Sequence, residues 1–340
     1  MYDFVKIHVK NICIQSIKQN RFLEFHSKLN HKTGEVKENE LIAEFDGLEF
    51  TIKNNQHLFF NGSVHKFWNQ TNTNYNDYTI NDFKQTAEVI DKKFDLNAFS
   101  CLLHNLEFGV NINLPFETET FLNAIISFKG KEYELDTFNG FGKLLRFRFN
   151  RYYELKIYNK GMQYNLNENI LRFEIKVKKM HYLKSKKINI QTLADLLNLD
   201  VIEDLKKQLI KTFKELLIYD ESINIKEVNR RSDRELLING RNPKYWQNLS
   251  NLNPNTYKKK RKRFRELISI YGKSNIQKNV LDLIEQKLEK ITKDQPIVKS
   301  VPDLTTLLIS PYSECTRFNT SSIWLNKYPF VFGRLNTYPV

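Results

Sequence analysis

The first half of the chain alternates hydrophobic with polar residues, and this pattern predicts β-strands. Residues 4–10 place apolar side chains on one face and basic or polar side chains on the other, as a half-buried strand does. Asp46-Gly47 and Asn61-Gly62 are turn signals beside the next apolar segments, so we expect an antiparallel meander there. The further predicted strands cover residues 41–45, 48–52, 57–60, 102–112, 146–149, 152–158 and 170–178.

Helical spacing of apolar residues appears twice in this half, over residues 79–94 and 117–126, and dominates from about residue 190 onwards. The later predicted helices cover residues 191–197, 201–219, two segments opened by Pro243 and Pro254, and residues 275–291. The predicted fold class is therefore α+β. We expect a mixed domain with a central antiparallel sheet over residues 1–187, an all-helical domain over 188–295, and a tail of unassigned role over 296–340.

The net charge of the chain indicates what kind of partner it binds. Lys and Arg number 53 against 39 Asp and Glu, a formal net charge of +14, which indicates a polyanion. Nucleic acid is favoured over an anionic membrane, because no amphipathic anchor, signal peptide or long apolar run is visible. The three cysteines have no metal-ligand spacing, which favours a reducing cytoplasm.

Two basic segments are the candidate DNA contacts. The first covers residues 172–187, and the second, residues 258–265, has seven cations in eight residues. Because like charges one helical turn apart repel, a phosphate backbone would stabilise such a helix. The alternative is a solvated run beside the apolar stripe of Phe264, Leu267 and Ile268. The predicted DNA-binding residues are Arg172, Lys176, Lys178, Lys258, Lys260, Arg261, Arg263 and Arg265.

Two predicted strands carry oxygen ligands on their polar faces. Glu107 and Asn111 are four residues apart, so the strand period of two places both on one face. Glu174 lies on another strand. Together they could hold a hard divalent cation that stabilises charge on a phosphodiester. In the alternative, the two glutamates merely pair with Arg172 or Lys176 on a solvated face of the sheet.

Tyrosines, cations and a glycine turn occur together over residues 151–161, near the predicted carboxylates. A tyrosine hydroxyl beside a metal-bound phosphate can attack the phosphorus and keep the 5′ phosphate as a covalent ester. Tyrosine is also common in strands, so packing is the alternative role.

Three segments, in this order, resemble the rolling-circle replication initiators of filamentous phages (the gene II type) and of small Gram-positive plasmids. Residues 105–112 stand in place of a family strand that reads Arg, apolar, Asp, three residues, Asp. Residues 156–161, Lys-Ile-Tyr-Asn-Lys-Gly, are similar to the family's Arg-Ile-Tyr-Asp/Asn-Lys. Residues 171–184 resemble the Val-Arg-Phe-Glu strand and the Tyr-Leu-Lys that follows it in the phage proteins.

The resemblance implies a replication initiator that nicks one strand of an origin by metal-dependent tyrosine transesterification, with Mg²⁺ or Mn²⁺ as cofactor. Glu107 and Asn111 take the places of the acidic pair, although Asn111 replaces a carboxylate, and Glu174 takes that of the third carboxylate. The stretch that holds the plasmid proteins' nucleophile has only phenylalanines here. The candidate nucleophiles are Tyr133, Tyr152, Tyr153, Tyr158 and Tyr182.

Tyr158 and Tyr182 rank first because they lie within the matched segments, and Lys160 is the nearest cation that could neutralise developing charge. Origin DNA is the implied partner, with a host helicase or polymerase beside it. Two other functions stay open, a conjugative relaxase and a non-catalytic DNA-binding protein such as a repressor.

Overall fold

A computed structural model describes residues 1–29, 34, 36–70, 73–138, 141–149 and 151–293, and these residues have the predicted α+β fold. The predicted tail, residues 296–340, lies outside the described residues. Within the described part of the chain, no helix is both long and apolar enough to cross a bilayer.

A large antiparallel sheet organises the molecule. Ten of the described strands form it: β1 (Tyr2–Val9), β2 (His26–Leu29), β3 (Val36–Phe45), β4 (Leu48–Lys53), β5 (His57–Ser63), β6 (Cys101–Asn113), β8 (Glu134–Phe138), β9 (Phe141–Phe149), β10 (Tyr153–Asn159) and β11 (Ile170–Val177). Their spatial order is β2-β3-β4-β5-β1-β6-β11-β10-β9-β8. The predicted meander is confirmed as β3-β4-β5, and β1, β6 and β11 lie at the centre.

A separate two-stranded sheet joins β7 (Ile125–Phe128) to β12 (Leu216–Ile218). The described helices are α1 (Ile14–Lys18), α2 (Val64–Asn69), α3 (Ile80–Phe94), α4 (Thr118–Ala124), α5 (Lys160–Gln163), α6 (His181–Ser185), α7 (Leu199–Lys214), α8 (Arg231–Gly240), α9 (Pro243–Leu252), α10 (Pro254–Tyr271) and α11 (Ile276–Thr292). Short 3-10 helices cover Ala194–Leu197 and Ile225–Glu227.

The second sheet corrects two predicted helices. The helix predicted over 117–126 ends at Ala124, and the one predicted over 201–219 ends at Lys214. In both cases the last apolar residues pair with each other as strands, with Leu216 opposite Phe128. The residues after 187 are therefore not all helical, because a strand partner distant in sequence decides the conformation of a short apolar run.

The apolar face of the central strands packs against α7. The Phe173 ring of β11 lies 5.3 Å from that of Phe213, which in turn stacks on Phe121 of α4. Residues Met1–Asp294 form one compact unit. The division after residue 187 stays a prediction, since the packing of α7 against the sheet crosses it. The opposite face of these strands carries the polar side chains.

Candidate functional site

The register of the central strands brings the three matched segments together. Lys156 of β10 lies opposite Glu174 of β11, and in the next pair of strands Lys176 lies opposite Glu107 and Arg172 opposite Asn111. Because the side chains of a strand alternate between faces, all of these lie on the same face of the sheet. Glu107, Asn111 and Glu174 therefore lie close together.

Gly109 makes room for this arrangement. It lies on β6 between Glu107 and Asn111 and directly opposite Glu174. A Cβ atom at this position would lie 2.3 Å from the Phe173 carbonyl oxygen and 2.6 Å from the Glu174 Cβ. The two strands can approach this closely only because residue 109 has no side chain.

The carboxylates of Glu107 and Glu174 are both paired with lysine or arginine side chains. The Lys156 Nζ lies 2.8 Å from Glu107 Oε2 and 2.7 Å from Glu174 Oε1. Lys176 holds the other oxygen of Glu107 at 2.5 Å, and the Arg172 Nε holds that of Glu174 at 2.8 Å. The glutamates thus pair with Lys176 and Arg172 as in the alternative, but both are buried and do not lie on a solvated face. Lys156, which joins them, was missed, although its alternation with Tyr158 placed it on this face.

A third carboxylate, Asp3 of β1, completes the cluster and was also missed. The Arg172 guanidinium lies 3.4 Å from Asp3 Oδ2 and donates to the Asn111 side-chain oxygen at 3.2 Å. Asp3 also accepts from Asn74 at 2.8 Å. We call Asp3, Glu107, Asn111, Lys156, Tyr158, Lys160, Arg172 and Glu174 the polar cluster.

The members of the polar cluster stabilise one another's charges. Burial by itself would raise the pKa of Glu174, but the charges of Lys156 and Arg172 outweigh it and hold that pKa well below its ordinary value. Burial likewise opposes the charge on Lys156, yet Glu174 and Glu107 raise its pKa. The Glu174 carboxylate and the Lys156 ammonium therefore remain ionised at neutral pH.

The donor atoms suit a divalent cation chemically, but their surroundings do not. Glu107, Glu174 and Asn111 offer oxygen ligands, as Mg²⁺ prefers. Each of those oxygens already faces a cation, and the Lys156 ammonium stands between the two glutamates. Within the described residues, no group of three or more His, Cys, Asp or Glu is arranged to hold a metal. As arranged, the polar cluster does not fit Mg²⁺ or Mn²⁺.

Replacing Lys156 by Met should open this position to a metal. The variant loses the ammonium that two buried carboxylates share, so we expect a loss of about 3 to 5 kcal/mol in the free energy of unfolding. Millimolar Mn²⁺ should then raise the Tm of the variant and leave that of the wild type unchanged, as measured by calorimetry. Lys143→Met, which removes a half-exposed cation of the same sheet, is the control. An equal rise in the wild type would show that the carboxylates take metal with Lys156 in place.

Of the two leading tyrosines, only Tyr158 lies in the polar cluster. Its hydroxyl is 3.5 Å from the Lys160 Nζ, and its side chain is 5% exposed. Tyr182 lies on the opposite face of the sheet, where it stacks on Tyr153 at 4.1 Å and its hydroxyl accepts from Gln208 at 3.1 Å. Lys160 therefore stands beside Tyr158, as the sequence predicts, and Tyr182 stands apart from the carboxylates.

Lys160 has the properties of a general base. Burial, and after it the charge of Arg172, lowers the pKa of Lys160 to about 7, so a large share of the amine is neutral at neutral pH. Burial, and then Glu174, raises the pKa of Tyr158 well above its ordinary value. The tyrosine proton therefore needs an acceptor, and the Lys160 amine is within reach of it.

A loop lies over the polar cluster. Between α2 and α3, the Asn74 side chain accepts from Lys160 Nζ and from the Tyr164 hydroxyl, both at 2.6 Å. The Asn111 amide donates to the backbone carbonyls of Asn74 and Tyr75, both at 3.0 Å. Tyr158 is itself 5% exposed, so a phosphate cannot reach its hydroxyl in this arrangement.

The predicted DNA contacts of the first basic segment are held within the protein. Arg172 is 4% exposed and belongs to the polar cluster, while Lys176 pairs with Glu107. Lys178 lies 2.9 Å from Glu154, a buried carboxylate that Arg146 also contacts. On this face of the sheet, acidic and basic side chains are matched, so it has little net attraction for a polyanion.

The second basic segment divides into anchored arginines and exposed lysines. Arg261 donates to the Glu215 carbonyl at 2.7 Å, Arg265 donates to the carbonyls of Lys214 and Leu216, and Arg263 makes two bonds to Asp233. These contacts fix α10 against its neighbours. The exposed cations of the segment are Lys258, Lys259, Lys260 and Lys262.

The excess positive charge lies around this helix. Residues 226–273 contain fourteen Lys and Arg against four Asp and Glu, so the formal net charge of this segment is +10. The formal net charge of the whole chain is +14. One electrostatic footprint for a polyanion is therefore on α8, α9 and α10, and the exposed Lys179, Lys184, Lys186 and Lys187 of the first basic segment form another.

The chain is similar to one solved structure, that of a rolling circle replication initiator protein from Geobacillus stearothermophilus. The two align with a TM-score of 0.40 and 12% sequence identity, over 75% of this chain and 96% of that chain. No protein-family model matches the chain, and no curated protein matches it either.

Proposed function

We propose that this chain is a DNA replication initiator of the rolling-circle type, which opens one strand of an origin by attack of a tyrosine. One observation carries the proposal. Residues 113–155 separate the first segment that resembles the initiators, 105–112, from the other two, yet all three segments form the neighbouring strands β6, β11 and β10 and direct their polar side chains into one cluster. Tyr158 and Lys160, from the middle segment, lie in that cluster.

The chemistry that these residues support is a transesterification. The Tyr158 oxygen attacks the phosphorus, the bond from phosphorus to the 3′ oxygen breaks, and the 5′ phosphate stays on the tyrosine. The neutral Lys160 amine takes the phenolic proton, and the leaving 3′ oxygen takes a proton from water. In this proposal Arg172, on the strand position opposite Tyr158, would exchange part of its contact with Glu174 and Asp3 for the charge on the phosphate.

A second candidate function is a non-catalytic DNA-binding protein. The burial of Tyr158 and the pairing of every predicted ligand oxygen with a cation favour it. We place either protein in the cytoplasm with DNA as its partner, and the nickase would also meet a helicase or polymerase. Phage, plasmid and conjugative elements all use such chemistry.

Supercoiled plasmid that carries the DNA flanking this chain's own gene separates the two functions. A nickase relaxes it and leaves protein covalently attached to a 5′ end, whereas a repressor binds it and leaves it supercoiled. The reaction is run with Mg²⁺, with Mn²⁺ and with chelator alone. The Lys156 ammonium occupies the position between the carboxylates where a metal would bind. We therefore expect nicking to persist in chelator, whereas a metal-dependent nickase would lose its activity there.

The exposed lysines of α10 should supply phosphate contacts. Replacing Lys258, Lys259 and Lys262 by Gln is expected to weaken DNA binding and to lower the log–log salt slope by about one unit for each lost contact. Fluorescence anisotropy over a range of salt concentrations measures both. Lys92→Gln, Lys211→Gln and Lys278→Gln together remove equal charge from exposed positions outside residues 226–273 and serve as the control. A slope that does not change in the α10 variant would show that these lysines are only solvated surface.

A further inference from the structure

Helices α8, α9 and α10 pack around one hydrophobic cluster, which they share with Ile126 of β7 and Leu217 of β12. Trp246 of α9 is fully buried, its ring lies 5.1 Å from that of Phe264, and its indole N–H donates to the Gly240 carbonyl at 2.7 Å. A Cβ atom on Gly240 would lie 2.3 Å from the Phe264 ring. The end of α8 therefore approaches α10 closely, and this packing fixes the orientation of α9.

The connection between α8 and α9 is very short. Only Arg241 and Asn242 separate the helices, and the Asn242 side chain caps α9 by accepting from the Lys244 N–H at 2.9 Å. Pro243 occupies the first turn, where its missing N–H costs nothing. Two helices joined by a tight turn and backed by a third are the arrangement in which proteins present a helix to the major groove of DNA.

The outer face of α9 carries amides and a cation. Lys244, Gln247, Asn248 and Asn251 are all exposed, and their spacing of three and four residues places them on one face of the helix. Trp246 and Leu249 face the core instead. A side-chain amide both donates and accepts hydrogen bonds, so it can pair with N7 and N6 of adenine at the same time. A phosphate oxygen only accepts, so a contact to the backbone of DNA needs only a donor.

The surroundings of this face match a duplex electrostatically. Both neighbouring helices carry exposed cations, namely Arg234 on α8 and Lys258, Lys259 and Lys262 on α10, and Lys260 of α10 donates to the Tyr245 hydroxyl of α9 at 2.9 Å. The whole segment 226–273 carries a net charge of +10. A helix with uncharged base-reading groups between two sets of cations suits the major groove, where base edges lie between two phosphate backbones.

We propose that α9 is the sequence-reading helix of this protein, with Gln247, Asn248 and Asn251 contacting base edges in the major groove of duplex DNA. The proposal rests on the proposed function only in that DNA is the ligand, and it requires no nicking. In this proposal the lysines of α10 contribute affinity for any duplex, and the amides of α9 contribute specificity for sequence.

Selection from a library of random DNA duplexes tests this division. The wild-type chain should enrich a motif that contains adenine–thymine pairs, and Gln247→Ala with Asn248→Ala should lose that enrichment. For each pair read by an amide, we expect discrimination to fall by about 5- to 150-fold, with little change in affinity for unselected duplex. Gln286→Ala, an exposed amide on α11, is the control and should keep the motif.

The outcomes separate this proposal from the proposed function. Binding to duplex DNA with no enriched motif in the wild type, or an unchanged motif in the double variant, would overturn the reading role of α9 and leave the initiator intact. Tighter binding to an RNA duplex of the enriched sequence would also overturn it. A wild-type chain that binds no DNA at all would overturn both.

Discussion

Replacing Tyr158 by Phe is expected to abolish nicking and covalent attachment while leaving the fold and DNA affinity unchanged. The substitution removes only the hydroxyl that lies 3.5 Å from the Lys160 Nζ, and the ring stays in place. Because the attacking oxygen is lost, we expect the cleavage rate to fall by at least about a thousandfold. Relaxation of supercoiled plasmid and mass spectrometry of the peptide left on a nicked oligonucleotide measure the two effects.

Tyr182→Phe is the matched control, since it removes a hydroxyl of the same kind from the other face of the sheet. It should keep full activity. An adduct on Tyr182, or on Tyr133, Tyr152 or Tyr153, would contradict the assignment to Tyr158. No adduct on any tyrosine, together with intact DNA binding, would favour the non-catalytic function.

The pH profile of the wild type should report the same proton transfer. Lys160 accepts a proton only when neutral, and its pKa is lowered to about 7, first of all by burial. The rate should therefore be level above pH 7 and fall about tenfold for each pH unit below it. Lys160→Met should lose most of the activity and this pH dependence together.

Replacing Glu174 by Gln is expected to destabilise the protein by about 3 to 5 kcal/mol, because it removes the carboxylate that Lys156 and Arg172 share. Glu174 is 1% exposed, so water cannot take its place beside the arginine. Chemical denaturation measures the loss. Glu134→Gln, which removes a half-exposed partner of Arg148, is the control, and its cost should be at most about 1 kcal/mol.

Acid should act on the wild type through the same carboxylate. The pKa of Glu174 is lower in the folded chain than its ordinary value of 4.5, because Lys156 and Arg172 outweigh the effect of burial. Its contribution to stability is therefore complete above about pH 4.5 and is lost as the pH falls below that value. The Glu174→Gln variant should lose less stability than the wild type over that acidic range. Equal losses would show that other carboxylates govern acid unfolding.

Local patterns in the sequence were sufficient to predict the central strands and two of the helix starts. Alternation predicted the central strands. It correctly placed Glu107 and Asn111 on one face of their strand, and it placed Phe173 on the face opposite to that of Arg172 and Glu174. This succeeds because the period of two is a property of each strand by itself. Helix starts at Pro243 and Pro254 were likewise predicted, since proline fits the first turn and marks it locally.

Tertiary structure decided which of these residues meet. The pairing of β10 with β11 and of β11 with β6 placed the Lys156 ammonium between two glutamates, where the sequence predicted a metal ion. The pairing of β1 with β6 brought in Asp3 from the start of the chain, and the packing of α6 against the other face of the sheet kept Tyr182 away from Tyr158. Strand order and the packing of distant segments are set by the burial of the whole chain, which no local pattern of residues contains.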